Sequence, residues 1–153
     1  MKRIMVLVIG SMIGFVTSCK GAAELALFIK PSGAPFTSES VSIQVVFTNT
    51  SDATISFPTP VLGRNLTLCT FDNNDTLLTR SGILVKYDDE IPVVKPIALM
   101  SRGTWTTESL NLFEQTSPSF MITPNQTIRV LATYTLTGKE YNGSISLVIP
   151  EHD

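Results

Sequence analysis

Few residues in this chain of 153 could carry out covalent chemistry. Its single histidine, His152, follows the last segment of strand-like composition, so no histidine is placed to act as a general base in a folded core. Its two cysteines, Cys19 and Cys69, are too few for a disulfide-dense scaffold. Lacking a Ser/His/Asp triad, a histidine-rich zinc site or a Cys/His pair, the sequence predicts a protein that is not an enzyme and holds no cofactor.

Cys19 stands at the end of a segment typical of exported proteins. Lys2 and Arg3 precede an apolar stretch, Ile4–Val16, and small residues follow it. These are the three parts of a secretory signal. The stretch has about 13 residues, whereas a membrane-spanning helix needs about 20. The sequence therefore predicts an exported protein whose leader is removed.

The residues around the predicted cleavage point are more specific. Val16-Thr17-Ser18-Cys19 resembles the lipobox of bacterial lipoproteins, in which an aliphatic residue and two small residues precede a cysteine. The commonest lipobox has Leu followed by Ala-Gly, so this version is less typical. The resemblance implies that residues 1–18 are cut off as a signal peptide. It also implies that Cys19 receives a diacylglycerol and that its new amino group is acylated, with chains such as palmitate.

Two or three acyl chains hold a protein at a bilayer without a spanning helix. The resemblance therefore implies a lipid-anchored protein of the bacterial cell envelope. Residue 20 is Lys rather than Asp, which in this family favours the outer membrane if the cell has one. In a cell without an outer membrane, the lipid would sit in the outer leaflet of its single membrane.

Other interpretations of the leader stay open at this point. An ordinary signal peptide cut near Ser18 would release a secreted protein, and an uncleaved segment would act as an anchor. In the secreted form, Cys19 and Cys69 could form a disulfide. Under lipidation Cys19 is consumed as a thioether, and Cys69, in a segment of strand composition, is expected to be a small buried apolar residue.

The charge of the chain excludes one class of partner. The full chain has 11 basic and 13 acidic residues and a net charge of −2. Loss of Lys2 and Arg3 with the leader leaves 9 basic residues against 13 acidic ones, a net charge of −4. No basic block is present, so nucleic acid is not an expected partner. The expected partners are the membrane, through the lipid on Cys19, and an unidentified envelope or extracellular protein or glycan.

Residues 24–150 are predicted to form one all-β domain, with residues 19–23 as a short lipidated tether. Short segments rich in Val, Ile, Thr, Phe and Tyr alternate with clusters of Gly, Pro, Asn, Asp and Ser. The segment Thr127–Thr137 alternates most regularly, with Ile128 to Leu136 placing every second, apolar side chain on one face. The predicted strands are Leu25–Lys30, Val41–Thr48, Thr54–Phe57, Leu66–Phe71, Ile83–Tyr87, Ile97–Met100, Trp105–Phe113, Thr127–Thr137 and Ser144–Ile149.

Polar turns between these segments favour antiparallel hairpins. Asn49-Thr50-Ser51-Asp52 and Asp72-Asn73-Asn74-Asp75 are predicted turns, and Gly138–Gly143 is predicted to link the last two strands. Seven to nine short strands, each with one polar face, indicate an antiparallel β-sandwich after a cleaved signal peptide. Helix content is expected to be low.

Three stretches of this pattern resemble immunoglobulin-like sandwich modules of bacterial exported proteins. They are Val45–Asp52, Ile97–Trp105, and Ile122–Val130 continuing to Tyr134. The third stretch departs from the modules' Pro-Gly-x-Tyr-x-Val pattern, since it has Asn125 for the Gly and Ile128 for the Tyr. The resemblance implies an immunoglobulin-like fold, without a tyrosine-corner hydrogen bond at position 128. The second stretch also resembles, more faintly, a bacterial proteinase-inhibitor module. Neither resemblance supplies functional residues.

The remaining candidate sites each have a structural interpretation beside the functional one. Asp88-Asp89-Glu90 and Asp72–Asp75 are oxygen-rich and could share a calcium ion if both loops met at one end of the sandwich. Solvated turns are the favoured interpretation, and no metal site is predicted. Trp105 is out of phase with Leu110 and Leu112, so either a bulge intervenes or Trp105 faces away from the core as a contact residue.

The predicted function is that of a non-catalytic, lipid-anchored envelope protein that presents a β-sandwich for protein or glycan binding. The alternative is a protease-inhibitor-like or accessory module. In that alternative one long loop, Ser81–Lys95 or Glu114–Pro124, would dock into a protease active site.

Overall fold

The described part of the chain consists of β-strands joined by turns. The computed structural model describes residues 24–33, 41–81, 95–112, 123 and 125–149. Its strands are β1 (Leu25–Pro31), β2 (Ser42–Asn49), β3 (Ile55–Pro58), β4 (Leu66–Phe71), β5 (Leu77–Ser81), β6 (Pro96–Leu99), β7 (Thr104–Thr106), β8 (Leu110–Asn111), β9 (Thr127–Leu136) and β10 (Lys139–Val148). Within these ranges no helix is long and apolar enough to cross a membrane. The all-β prediction is confirmed.

Two main sheets pair their strands in antiparallel fashion. In the first sheet β2 lies between β1 and the short strands β7 and β8. Ile43 pairs with β1 and β8, and Phe47 pairs with β1 and β7, so β7 and β8 follow each other along one edge of β2 as an interrupted strand. The second sheet has the order β10-β9-β4-β5, and β3 and β6 form a separate two-stranded ribbon. This is an immunoglobulin-like antiparallel β-sandwich, as predicted. The described residues hold ten strands, in nine strand positions when β7 and β8 count as one.

The alternating apolar residues of the central strands form the core. In β9 the predicted inward residues from Ile128 to Tyr134 are fully buried, and in β2 Ile43, Val45 and Phe47 face them. Burial of one such aliphatic or aromatic side chain contributes about 1.5–3 kcal/mol. The Phe47 ring lies 5.2 Å from the Tyr134 ring, edge to face. The alternation predicted for both strands is therefore confirmed.

The two sheets pack against each other where β1 lies next to β10. A Cβ atom at Gly143 of β10 would lie 2.7 Å from the carbonyl oxygen of Leu27 in β1. Real Cβ atoms do not come this close to backbone oxygens, so only glycine allows the two strands to meet at this point.

The last hairpin is longer than predicted. Its turn is Thr137-Gly138, with φ angles of 48° and 80°, and β10 already begins at Lys139. Positive φ at both central residues matches the two-residue turns whose twist suits a hairpin. The predicted link Gly138–Gly143 is therefore wrong, because residues 139–143 pair with β9.

Two further strand predictions need correction. β5 was not among the predicted strands; its sequence, Leu-Leu-Thr-Arg-Ser, has one β-branched residue and no strict alternation. It nevertheless pairs with β4, with a register shift between Thr70 and Phe71. The predicted strand Ile83–Tyr87 lies outside the described residues. The predicted strand Trp105–Phe113 is interrupted between β7 and β8.

That interruption decides where Trp105 points. Trp105 is half-buried against the core with its ring 5.7 Å from Phe47, and Leu112 is also buried there. Positions of opposite parity can share one face only if the strand bulges between them. Thr107 lies at this bulge: its hydroxyl accepts a hydrogen bond from the Val45 N–H, and its own N–H donates to the Val45 carbonyl, both at 3.0 Å. The bulge interpretation is thus confirmed.

Candidate functional site

Several of the predicted site residues fall in parts of the chain that the structure does not describe. Cys19, the predicted lipidation site, lies outside the described residues, as do Asp88-Asp89-Glu90 and nearly all of the two predicted docking loops. The turn Asp72–Asp75, Cys69 and Trp105 lie inside the described part.

The carboxylates of the β4–β5 turn are engaged in local contacts. One oxygen of Asp72 accepts hydrogen bonds from the N–H groups of Asn74 and Thr76, each at 2.8 Å. Asp75 forms an ion pair with Arg129 at 2.7 Å, and the Arg129 guanidinium lies 4.6 Å from the centre of the Phe71 ring. These contacts tie the turn to β9 and to the end of β4.

Hydrogen bonding lowers the pKa of one carboxyl group in this turn, that of Asp72. The Thr76 N–H is the main cause that holds the pKa of Asp72 below its usual value, with a smaller contribution from the Asn74 N–H. Within the described ranges, no group of three or more His, Cys, Asp or Glu side chains could hold a metal ion. The contacts that the turn makes are hydrogen bonds within the turn and one ion pair to Arg129. The second loop of the calcium hypothesis lies outside the described residues.

Cys69 occupies a different position from the one predicted. It alternates with the buried residues Leu66, Leu68 and Thr70, so it lies on the outer face of the four-stranded sheet and is only half-buried. Partial burial raises the pKa of its thiol, and the nearby positive charge of Arg80 opposes this effect less strongly. A raised pKa disfavours the reactive thiolate.

Asn49, the last residue of β2, has a side chain with several hydrogen bonds. It is fully buried. Its amide nitrogen lies 2.7 Å from the Ala53 carbonyl oxygen, 3.1 Å from that of Leu99 and 2.9 Å from that of Met100. Its amide oxygen accepts from the N–H and the hydroxyl of Ser51. One side chain thus joins the end of β2 to the following loop and to the turn between β6 and β7.

The same network fixes the start of β1. The Thr50 N–H donates to the Glu24 carbonyl at 2.9 Å, and the Asn49 N–H donates to the Gly103 carbonyl at 2.9 Å. Glu24, residues 50–53 and residues 100–103 therefore lie together, and we call this set the N-terminal end. Arg102 and Asp52 form an exposed ion pair there, at 2.8 Å.

Met100 is the most exposed apolar residue of the N-terminal end. Its side chain is 76% exposed, although its carbonyl oxygen is bound by Asn49. The Gly103 N–H also donates to the Met100 carbonyl, which closes the turn. A rigid backbone thus presents an apolar side chain to the surroundings. No local sequence signal predicts this arrangement, because Leu99 and Met100, whose carbonyl groups Asn49 binds, lie about 50 positions away.

The β4–β5 turn lies at the opposite end of the sandwich. β4 pairs with β9 from Leu66 opposite Tyr134 to Phe71 opposite Arg129. Tyr134 contacts Phe47, two residues before Asn49, so Arg129 and the turn lie at the far end. Two apolar side chains near this far end are exposed, Leu77 at 51% and Val148 at 59%.

The hydroxyl of Tyr134, in the core, also has a partner far away in the sequence. It donates to the Pro58 carbonyl at 2.7 Å, which ties β9 to the end of β3. Burial, with a smaller contribution from Tyr141, raises the pKa of Tyr134 to about 12. This bond differs from a tyrosine corner, because its acceptor lies 76 residues earlier in the chain rather than close by.

No protein-family model matches the sequence, and no curated protein matches it. Solved structures similar to it include Bacteroides uniformis beta-glucuronidase 2 covalently bound to cyclophellitol-6-carboxylate aziridine, at 18% identity and a TM-score of 0.36. They also include Bacteroides uniformis beta-glucuronidase at 18% and 0.35, and a calcium-binding mutant of beta-glucuronidase 2 at 16% and 0.37. Each alignment covers 79% of this chain but 12% of the enzyme chain. The similarity concerns the fold alone.

Proposed function

We propose that this protein is a non-catalytic, lipid-anchored component of a bacterial cell envelope whose immunoglobulin-like sandwich binds a protein or a glycan. The observation that carries the anchor is the lipobox-like Val16-Thr17-Ser18-Cys19, which ends five residues before Glu24. Glu24 is fixed to the sandwich through Thr50. Acyl chains on Cys19 would thus hold the domain directly at a membrane surface, and the outer membrane is the proposed location in a cell that has one.

The chemistry of the described residues supports binding rather than catalysis. The carboxylates of Asp52, Asp72 and Asp75 are engaged in ion pairs or in turn hydrogen bonds. The thiol of Cys69 has a raised pKa. These groups stabilise turns or lie in strands, and a sandwich of this kind binds through its loops or along a sheet edge.

Metabolic labelling tests the anchor. Cells that express the full chain are fed an alkyne-bearing palmitate, and the protein is purified and examined for label and mass. We expect the wild type to carry label and to lack residues 1–18. Cys19→Ser should accumulate as unlabelled precursor. Cys69→Ser is the matched control and should be labelled and processed like the wild type.

A Cys19→Ser chain that is still labelled and cut would contradict the anchor. For the binding role, crosslinking in intact cells followed by mass spectrometry identifies the partner. Crosslinks confined to lipid, with none to protein or glycan, would contradict a binding module. The predicted docking loops of the protease-inhibitor-like alternative lie almost entirely outside the described residues, so that alternative stays a prediction.

A further inference from the structure

We propose that the N-terminal end of the sandwich rests on the membrane surface and that Met100 inserts its side chain among the lipid headgroups and the first acyl carbons. This inference rests on the proposed lipid anchor at Cys19. It adds the orientation of the domain and the residue that touches the lipid.

The length of the tether limits where the domain can lie. Five Cα–Cα steps separate Cys19 from Glu24, and a fully extended chain spans at most about 3.6 Å per residue, which gives about 18 Å. By comparison, β10 has ten residues, and a strand of that length extends about 33 Å. The tether is therefore shorter than the sandwich, and an anchor at Cys19 keeps the N-terminal end near the bilayer.

The hydrogen bonds of Asn49 place Met100 at this end. Thr50, the neighbour of Asn49, binds Glu24, where the tether joins the sandwich, while the Asn49 side chain binds the Met100 carbonyl. Tether and turn are thus held by adjacent residues. Of the large apolar side chains exposed in the described ranges, Met100 is the most exposed.

The chemistry of Met100 and its surroundings suits a lipid surface. Methionine is unbranched, flexible and apolar, so it enters the irregular space between headgroups with little strain. Arg102 and Asp52, on the same end, neutralise each other in an ion pair. The contact is therefore expected to depend on apolar insertion rather than on anionic lipid.

Site-specific fluorescence tests this orientation in the lipidated protein. In a Cys69→Ser background the only reactive thiol is an introduced one, because Cys19 is acylated. Met100→Cys and, as matched control, Leu77→Cys are each labelled with bimane and reconstituted into phosphatidylcholine vesicles that contain nitroxide-labelled lipid. Both replaced side chains are exposed, at 76% and 51%, so neither change should disturb the core. Val148→Cys serves as a second far-end control.

A label inserted about 5–10 Å into the interface should be quenched by the nitroxide lipid at least about three times as strongly as a label in water. We expect this stronger quenching for the label at position 100. The quenching relative to a label in water should stay the same when phosphatidylglycerol is added to the vesicles. Equal quenching at positions 100 and 77 would overturn the orientation. A blue-shifted but unquenched label at position 100 would also overturn it, since a second copy of the protein would then cover the turn. Absence of acyl groups on Cys19 would instead overturn the anchor itself, and mass spectrometry of the same sample reveals this separately.

Discussion

The turn that begins at Asn49 and the turn that begins at Asp72 share one local design. In each, a side-chain oxygen accepts a hydrogen bond from the N–H two residues later, to Ser51 at 2.9 Å in the first turn and to Asn74 at 2.8 Å in the second. Both turns also carry an aspartate in an ion pair with an arginine about fifty positions further on. Both turns consist of polar residues and end in an aspartate.

The two turns differ in what surrounds the first side chain. Asn49 is fully buried, and its amide binds the carbonyl groups of Leu99 and Met100 from another part of the fold. Asp72 lies at the surface and binds only residues within four positions. The comparison teaches that a polar turn contributes to the fold through buried, distant partners, because water replaces the local ones at little cost.

The largest expected effect follows from truncating the buried amide. Asn49→Ala removes the buried amide that bonds to the carbonyl groups of Ala53, Leu99 and Met100, which should lower the free energy of unfolding by about 3 kcal/mol. Asn74→Ala, in the other turn, should change it by no more than about 0.5 kcal/mol. Urea unfolding followed by the fluorescence of Trp105 measures both. Equal values for the two variants would contradict the distinction between the turns.

The hydroxyl of Tyr134 tests whether a buried polar group outside the turns also stabilises the fold through a distant partner. Tyr134→Phe removes the bond to the Pro58 carbonyl and should cost about 1 kcal/mol at neutral pH. The pKa of Tyr134 is raised to about 12, whereas an unfolded tyrosine loses its proton near pH 10. The stability from this hydroxyl is therefore complete below pH 10 and is lost as the pH rises toward 12.

The pH test compares the wild type with Tyr134→Phe between pH 9 and 12. The wild type should lose its advantage across this interval. Tyr141→Phe keeps the Tyr134 hydroxyl but removes the smaller contribution of Tyr141 to its raised pKa, so it should lose the same stability at a slightly lower pH. A constant difference between wild type and Tyr134→Phe at every pH would show that the hydroxyl is not shielded as the structure indicates.

The ion pairs of the two turns should contribute less to stability, and here the β4–β5 turn should have the larger effect. Arg129 is more shielded than Arg102, with 39% against 66% of its side chain exposed, and it also lies over the Phe71 ring. Double-mutant cycles should give about 0.5 kcal/mol for the Arg129–Asp75 pair and close to 0 for Arg102–Asp52. A stronger Arg102–Asp52 pair would mean that the N-terminal end is less open to water than described.

The smallest expected effect is the acid dependence of the β4–β5 turn. The pKa of Asp72 is lower in the folded protein, so its contribution is present above the unfolded pKa near 4 and is lost as the pH falls through the folded value. Asp72→Asn keeps a side-chain acceptor but removes the charge. Its unfolding free energy should fall less than that of the wild type between pH 5 and pH 2. If the unfolding free energies of the wild type and Asp72→Asn changed in parallel with pH, the lowered pKa of Asp72 would not be the cause of the acid dependence.

The sequence predicts the central strands well, because their burial alone dictates their pattern. In β9, strict alternation from Thr127 onward identifies both the strand and its inward face. β10 shows the limit of this reasoning. Its first residues, Lys139 to Gly143, have turn-like composition, yet pairing with β9 and close packing on Leu27 keep them extended. Tertiary contacts outweigh local propensity there.

The N-terminal end illustrates what the sequence could not supply. The turn at Asn49 is predictable from its residue types, but the burial of its amide depends on Leu99 and Met100, which only the folded topology brings near. The same holds for Tyr134 and Pro58. Periodicity in a single strand carries no information about which distant carbonyl a side chain meets.

The pairing of β1 with β2 has a mechanical consequence for an anchored protein. Seven residues of β1, Leu25–Pro31, pair in unbroken register with β2. If a lipid on Cys19 held the chain before Glu24 and a partner bound the far end, the force would act along the axis of β1, whereas antiparallel hydrogen bonds run across that axis. The whole ladder would then bear the force at once, in shear, instead of opening bond by bond. The hydrogen bonds between β1 and β2 would then resist mechanical unfolding of the domain between the membrane and its partner.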